Sequence, residues 1–323
     1  MSIDEFLAEW HNDSATLLVH TSGSTGKPKP MWVEKRRMEA SARMTCDFLG
    51  LHEGDTALLC MSLDYIAGKM MVVRSLVRGL RLVSVEPSGE PLGTVTGPID
   101  FAAMVPLQVW NTLRVAEQRE RLMRVGQLII GGGAIDADME RQLRSFPGAV
   151  WSSYGMTETL SHVALRRLSG PEATEWYTPM AGVSLSVTAE GCLVIDAPAL
   201  HDGPLVTNDR AELLSDGRFK ILGRRDNVIC SGGLKIQAEE VERLLRPHLR
   251  VPYLITKQKD EKYGEAVVLL VEGDTAEAER ISRAVLPRYW QPRHYVSVAQ
   301  IPLTATGKPA RHAAEQLLQQ PSR

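Results

Sequence analysis

The stretch "VHTSGSTGKPKPMWVEK", Val19–Lys35, decides how the chain is read. It crowds hydroxyls, glycines and lysines together, as a phosphate-holding loop does. The nucleotide-binding P-loop is G-x-x-x-x-G-K-[ST], and Gly26-Lys27 fits its end. Thr21 stands where that pattern needs its first glycine, however, and Pro28 follows the lysine in place of Ser or Thr. A different anion-binding device is expected. Thr21, Ser22, Ser24 and Thr25 supply hydroxyls, and Gly23 and Gly26 let the backbone turn tightly against a ligand. Backbone N–H groups in such a turn form an anion-binding concavity, to which Lys27 and Lys29 add positive charge.

The remainder of the chain bounds what this loop serves. A length of 323 residues suggests two domains of roughly 150 residues each. With 44% apolar and 24% charged residues, the composition is that of a soluble globular protein. A net charge of −2 without any Lys/Arg-rich tract argues against a nucleic-acid partner. The four cysteines are far apart and form no C-x-x-C pair, which argues against a zinc site or disulfide framework and fits a cytoplasmic location. The N-terminal "MSIDEFLAEW" lacks the basic and apolar regions of a signal peptide. No apolar run approaches the ~18 residues of a membrane span, so no membrane partner is expected.

Apolar runs alternate with helical patterns through the first two thirds. "TALLCMS" (56–62), "RLVSVEP" (81–87), "FAAMVP" (101–106) and "QLIIGGG" (127–133) read as buried strands. "RRMEASARMTCDFLG" and "GKMMVVRSLVRG" carry helical spacing and end at glycines suited to a C-cap. This alternation predicts an α/β layer structure with a mostly parallel sheet. From "GCLVIDAP" to "GRFKILGR" the pattern turns to short strands with Gly and Asp turns, a small antiparallel β region. A new α+β unit follows Arg225, so the expected domains are 1–225 and 226–323.

Several further stretches carry chemistry. "WSSYGMTET" (151–159) follows an apparent strand: Tyr154 suits stacking on a base, Thr157 a phosphate, and Glu158 a magnesium ion that takes one or two carboxylates plus phosphate oxygens. "TNDRAEL" (207–213) sets Asp209 at a loop, to accept from ribose hydroxyls or to form a plain Asx-turn. "GRRDNVICSGGLKIQAEEVE" (223–242) places a basic pair, an Asp and a Gly-Gly ahead of a helix. "PLTATGKPAR" (302–311) sets Lys308 in a glycine-containing turn. A single Glu or Asp is by itself more often solvated or a cap; the set taken together is what discriminates.

In this order, from Val19 to Arg311, the stretches resemble the signature motifs of the adenylate-forming superfamily of acyl- and aryl-CoA synthetases, luciferases and peptide-synthetase adenylation domains. The matches are T-S-G-[ST]-T-G-x-P-K, the G-G-A segment (Gly132, Gly133, Ala134), Y-G-x-T-E, the T-G-D position, G-R-x-D-x-x-I-x-x-x-G and P-x-T-x-x-G-K. The resemblance implies a truncated adenylate-forming fold with a small mobile C-terminal domain. It also implies a two-step reaction: a carboxylate attacks MgATP to give an acyl-adenylate, and a thiol, usually coenzyme A, then displaces AMP. On this resemblance the Thr21–Lys29 loop holds the departing phosphates. Thr157 and Glu158 lie at the α-phosphate and metal, and Tyr154 with Gly155 lies at the adenine. Asp209 and Arg224 hold ribose and phosphates. Lys308 bridges carboxylate and α-phosphate as a fixed charge. Asp226 is the hinge, and Gly232, Gly233 and Lys235 belong to the coenzyme A site. Two departures stand out. Thr207-Asn208-Asp209 replaces T-G-D, where Asn is expected to keep the left-handed turn. Family members also carry a much longer segment before the phosphate loop, so a homodimer partner is expected to cover the surface exposed here.

The acid pocket of this superfamily is partly built by "SLDYIAGKMMVVRSLVRG" (62–79), which offers Tyr65, Lys69 and Arg74. Lys69 and Arg74 are five residues apart, about 140° on a helix, so they do not face one pocket together. Here the resemblance is closest to o-succinylbenzoate–CoA ligases of menaquinone synthesis, whose arginine at the Arg74 position pairs with the carboxylate that is not activated. A planar bidentate donor suits such a second carboxylate. Two alternatives remain: an adenylation enzyme loading an aryl or acyl group onto a carrier protein, and a non-catalytic nucleotide-binding homologue.

Overall fold

The computed structural model describes residues 1–20, 30–133, 135–303 and 309–319. Two compact units divide the chain. The first comprises Met1–Ser186, Val194–Leu205 and Leu213–Lys220, and the second Val187–Leu193, Val206–Glu212 and Ile221–Arg323.

The first unit opens with α1 (Ile3–His11), whose start is fixed by a capping box between Ser2 and Glu5 and whose Phe6 and Trp10, four apart, share one buried face. Strands β1 (Thr16–His20) and β2 (Pro30–Glu34) pair antiparallel with His20 opposite Pro30. Then follow α2 (Lys35–Leu49), β3 (Thr56–Leu59), α3 (Ile66–Arg78), β4 (Arg81–Ser84), β5 (Phe101–Met104), α4 (Pro106–Thr112) and α5 (Ala116–Met123). The segment continues through β6 (Gln127–Ile130), α6 (Ala137–Leu143), β7 (Ala149–Gly155), β8 (His162–Arg167) and β9 (Thr178–Pro179). Helices α2 and α3 end at Gly50 and Gly79, both left-handed, as the sequence leads one to expect.

The seven-stranded sheet has the order β4-β3-β5-β6-β7-β8-β9. Strands β4 through β7 in that order pair in parallel, and β8 and β9 are antiparallel. Side chains that alternate along a strand enter two different cores. Ala57 and Leu59 pack with Phe6, Met38 and Met70 from α1, α2 and α3, whereas Leu58 packs with Val109, Leu122 and Leu143 from α4, α5 and α6. Helices therefore cover both faces, the arrangement a near-continuous apolar strand such as "TALL" requires. Strand β4 lies on one side of β3 and β5 on the other, so the winding reverses at β3. In open α/β sheets ligands bind outside the carboxyl ends of the strands near such a reversal.

A four-stranded sheet contains β10 (Ser184–Val187), β11 (Cys192–Asp196), β12 (Leu205–Leu213) and β13 (Phe219–Arg224), each the neighbour of the next. The second unit adds β14 (Val228–Ser231), β15 (Leu234–Gln237), α7 (Ala238–Leu245), β16 (Tyr253–Asp260), β17 (Gly264–Val271), α8 (Thr275–Val285), β18 (His294–Ser297) and α9 (Arg311–Gln319). Its sheet runs β15-β14-β17-β16, with β18 parallel to β17. Ile229, Ile236, Val241, Ile255 and Leu269 lie in its core.

This unit begins before the expected boundary at Asp226 and includes residues 187–193 and 206–212. Side-chain bonds explain the difference. Arg225 donates to Glu190 and Asn208, and Arg210 donates to Gln237, which ties these strand segments to the residues that follow β13.

Candidate functional site

The Y-G-x-T-E run sits where β7 ends. Met156 leaves the strand and Thr157–Thr159 form a 3-10 turn that leads into β8. Gly155 is required by space: a Cβ there would lie 2.3 Å from the Ser161 carbonyl oxygen and 2.5 Å from the His162 Cα. Thr159 Oγ1 closes the turn, accepting from Met156 N at 3.0 Å and approaching the Ser161 carbonyl at 2.7 Å. Leu160, buried and with φ +64°, is strained for a branched side chain. Glu158 is exposed and has no hydrogen bond or ion pair among the described residues. Gly132 and Gly133 follow β6 and face Val105 and Pro106, beyond the end of β5. The glycine segment and the Y-G-x-T-E run thus both lie at carboxyl ends of parallel strands. Ala134, also expected here, lies outside the described residues, as do Thr21, Ser22, Gly23, Ser24, Thr25, Gly26, Lys29 and Lys308.

Tyr154 belongs to an aromatic trio that the sequence did not reveal. Its ring meets Phe219 edge-on at 5.2 Å and Tyr177 at 6.0 Å, while Tyr177 and Phe219 stack at 5.4 Å. Phe219 reaches this place because it follows the Gly217 turn, far from Tyr154 in sequence.

Of Tyr65, Lys69 and Arg74, which the sequence led one to expect at an acid pocket, Arg74 alone joins this region. It is 2% exposed, and its Nη2 donates to Ser161 Oγ at 2.6 Å, two residues beyond the 3-10 turn. Among the described residues, Nη1 has only the Met71 sulfur at 3.7 Å, and Nε has no acceptor. Among the described residues it makes no ion pair with any carboxylate. Burial pulls its pKa down to about 10, partly offset by Cys46, so it stays a cation at neutral pH. His162, next to Ser161, is buried. Its Nδ1 lies 3.2 Å from Ser161 Oγ and its Nε2 lies 3.1 Å from Thr45 Oγ1. Burial first, then the Arg74 charge, holds its pKa well below the ordinary histidine value.

Lys69 and Tyr65 do not accompany Arg74. The Lys69 ammonium lies over the Phe6 ring at 5.3 Å and against the Met1 sulfur at 3.3 Å, so α1 covers it. Its burial lowers its pKa, countered by Glu9 and Asp64. Tyr65 caps the start of α3 and is 51% exposed. Gly68 lets α3 lie close against the Ser62 backbone, since a Cβ there would meet the Ser62 carbonyl oxygen at 2.3 Å.

In the second unit, Thr207-Asn208-Asp209 runs inside β12 and not at a left-handed turn. Pairing between β11 and β13 keeps the backbone extended, and Asn208 instead accepts from Arg225 at 2.8 Å. The Asp209 backbone N–H donates to Thr207 Oγ1, and the Asp209 carboxylate faces Arg224 at 3.4 Å, while Arg224 also reaches Asp226 at 3.0 Å. The three expected residues therefore form one cluster. Asp226 lies on a 3-10 turn beside Asn227, which donates to Glu239. Gly232 and Gly233 are not strand residues. They form the two-residue turn of the β14–β15 hairpin with φ +58° and +84°, the twin positive values that a tight turn of this twist needs. Lys235 is exposed on β15, opposite Cys230. Cys46, Cys60, Cys192 and Cys230 are free thiols. Among the described residues, no group of three or more His, Cys, Asp or Glu is placed to hold a metal, and no helix is long and apolar enough to cross a membrane.

In sequence the chain is similar to the 2-succinylbenzoate–CoA ligase of Salmonella typhimurium, 27% identical over 314 residues, covering 91% of this chain and 67% of that one. Its fold is similar to the acyl-CoA synthetase (AMP-forming)/AMP-acid ligase II-like protein of Dyadobacter fermentans, with 34% identity, 97% of this chain and 93% of that chain covered, and a TM-score of 0.67. The o-succinylbenzoate CoA synthetase of Bacillus subtilis, solved in complex with the acyl-adenylate intermediate OSB-AMP, shares the fold at 22% identity. It matches 95% of this chain and 69% of its own, with a TM-score of 0.76. The chain thus spans about two thirds of the Salmonella ligase and nearly the whole of the Dyadobacter protein. Residues 4–217 match the AMP-binding enzyme family, well over half of the chain, and the chain belongs to that family.

Proposed function

We propose that this chain is an AMP-forming acid–thiol ligase that activates o-succinylbenzoate as its adenylate and passes it to coenzyme A, a reaction of menaquinone synthesis. The observation that carries the choice of acid is Arg74: a buried guanidinium without a carboxylate partner among the described residues, held beside the end of β7. An uncompensated buried cation is costly unless a ligand supplies the charge. A dicarboxylic acid does so with the carboxylate that does not react. The names of the Salmonella and Bacillus relatives support the same acid.

In the first step the free succinyl carboxylate attacks the α-phosphorus of ATP, an oxygen–phosphorus bond forms, and the bond to pyrophosphate breaks. In the second, the thiol loses its proton to solvent, sulfur bonds the acyl carbon, and the bond from that carbon to the AMP oxygen breaks, so that AMP departs. Arg74 holds the ring carboxylate and so aims the other one, converting binding into orientation. Thr157 meets the α-phosphate, and Tyr154 with its aromatic neighbours offers a flat face for adenine. Asp209 and Arg224 hold ribose and phosphate. Glu158, exposed and unengaged among the described residues, fits a magnesium ion that takes one carboxylate and several phosphate oxygens. That ion would neutralise charge on the departing pyrophosphate. The roles of Lys308, of the Thr21–Lys29 loop, and of Gly232, Gly233 and Lys235 toward coenzyme A rest on their motifs.

Pyrophosphate release with ATP, Mg²⁺ and a panel of acids, with and without coenzyme A, tests the reading. Release that requires o-succinylbenzoate, followed by a thioester when coenzyme A is present, is expected. Release with another aryl acid alone would discard this substrate, and transfer of the acyl group from the adenylate only to a carrier-protein thiol would replace the acceptor. The cytoplasm, where ATP and coenzyme A are available, is the proposed compartment. A homodimer is proposed as well, in keeping with the exposed Trp32 on β2 (67%). A monomeric mass in sedimentation at micromolar concentration contradicts it.

A further inference from the structure

We propose that His162 is a positioning residue for acid binding. As a neutral imidazole protonated on Nε2, it accepts a hydrogen bond from the Ser161 hydroxyl and thereby turns the Ser161 oxygen into the acceptor that fixes Arg74. This rests on the reading of Arg74 as the receptor for the second carboxylate. The proton directions follow from the two ends of one hydrogen-bonded chain. At one end, Thr45 Oγ1 donates its single proton to the Ser41 carbonyl at 3.0 Å. Its lone pairs are what His162 Nε2 meets at 3.1 Å, so Nε2 carries the hydrogen. Nδ1 is then bare and accepts from Ser161 Oγ at 3.2 Å. At the other end Arg74 has only donors, so Ser161 Oγ must accept from Nη2 at 2.6 Å, which it does with its own hydrogen turned to Nδ1. Each hydroxyl has one proton, and this assignment gives every donor in the chain an acceptor within the protein.

Arg74, Thr45 and Ser41 are all at most 2% exposed and His162 is 7% exposed, while Ser161 is partly buried, so the Thr45 and Arg74 ends of the chain are closed to water. A second proton on His162 would convert Nδ1 into a donor facing Ser161 and place a charge beside Arg74. Burial and the Arg74 cation both oppose that, so the imidazole stays an acceptor. The guanidinium is thus anchored through Nη2, while Nε has no acceptor among the described residues. A histidine here sets where a carboxylate binds without touching it.

Two substitutions separate this role from packing. His162→Asn keeps an acceptor oxygen near the Nδ1 position and loses the Thr45 bond; His162→Gln reaches Thr45 and removes the acceptor from Ser161. We expect His162→Gln to raise KM for o-succinylbenzoate on the order of tenfold, the loss of about one buried hydrogen bond, with KM for ATP nearly unchanged. His162→Asn should stay within about threefold of the parent. On a Ser161→Ala background, His162→Gln should add little, because the two act as one link. Equal effects of the two substitutions, a parallel rise in KM for ATP, or multiplicative effects with Ser161→Ala would each overturn the proposal. Arg74→Gln, measured alongside, separates the layers. If it leaves KM for the acid unchanged, the reading of Arg74 fails. If it raises KM while the His162 variants do not, only the positioning role fails.

Discussion

Arg74 is where stability and function pull apart. A buried cation with an orphaned Nε weakens the fold in the absence of a ligand, and replacing such a charge by an apolar side chain is often neutral or stabilising. Arg74→Met is therefore expected to melt at the same temperature as the parent or a few degrees above it, and to lose the rise in melting temperature that o-succinylbenzoate gives the parent. A marked drop in Tm without ligand would mean that Arg74 is structural. His162 makes a prediction about pH. Its folded-state pKa lies well below its ordinary value of 6.5, so the native state binds fewer protons than the unfolded chain in acid. Its contribution is complete above about pH 6.5 and declines as the pH falls below that, toward the folded pKa. His162→Asn should flatten this part of the acid-side stability curve measured by denaturant titration; an identical slope would show that other groups carry it. Sequence alone leads to Arg74, because its segment resembles a pocket wall. Ser161 and His162 were not legible, since nothing in "LSHVAL" says that a serine and a histidine will meet an arginine from α3.

At the scale of elements, the turn between β7 and β8 carries the most testable geometry. Gly155→Ala would force its new Cβ against backbone at 2.3 Å, and backbone cannot swing aside as a side-chain end does. We expect about 1–3 kcal/mol of destabilisation together with lost acid and ATP binding, because Ser161 and Thr157 move with the turn. A melting curve with kinetics checks this, and parent-like values for both would contradict the assigned contact. In the second unit, Arg311 and Glu242 form a bidentate pair at 2.7 and 2.8 Å in which both side chains are mostly buried. Glu242→Ala should cost about 3–5 kcal/mol, seen as an earlier unfolding transition, since Arg311 is left buried, among the described residues, with the Ile255 carbonyl and the more distant charges of Glu239 and Glu315. Strand and helix order was legible because apolar runs and left-handed glycine stops are local signals, as at Leu58, Gly50 and Gly79. The extended backbone at Asn208 and the hairpin turn at Gly232-Gly233 were not, because pairing partners decide them.

At the scale of the whole molecule, the chain divides into two units whose limits depend on side-chain ties across long sequence distances. Glu190, Asn208 and Arg210 join the second unit through Arg225 and Gln237, which no composition shift near Asp226 announces. The proposed chemistry assigns Lys308 to the first step alone. Lys308→Ala is expected to suppress adenylate formation while leaving thioester formation from supplied acyl-AMP largely intact, read in separate half-reaction assays. Equal loss in both would contradict a two-step division of labour. The central claim, a ligase whose Arg74 receives a second carboxylate, is tested most directly by one ratio. It compares kcat/KM for o-succinylbenzoate with kcat/KM for 4-oxo-4-phenylbutanoate, which lacks the ring carboxylate, in the parent and in Arg74→Gln. We predict that the parent prefers the dicarboxylate by roughly 10–150-fold, the worth of a charged hydrogen bond, and that the preference collapses toward unity in the variant. A preference that survives the loss of Arg74, or one that the parent never shows, would contradict it.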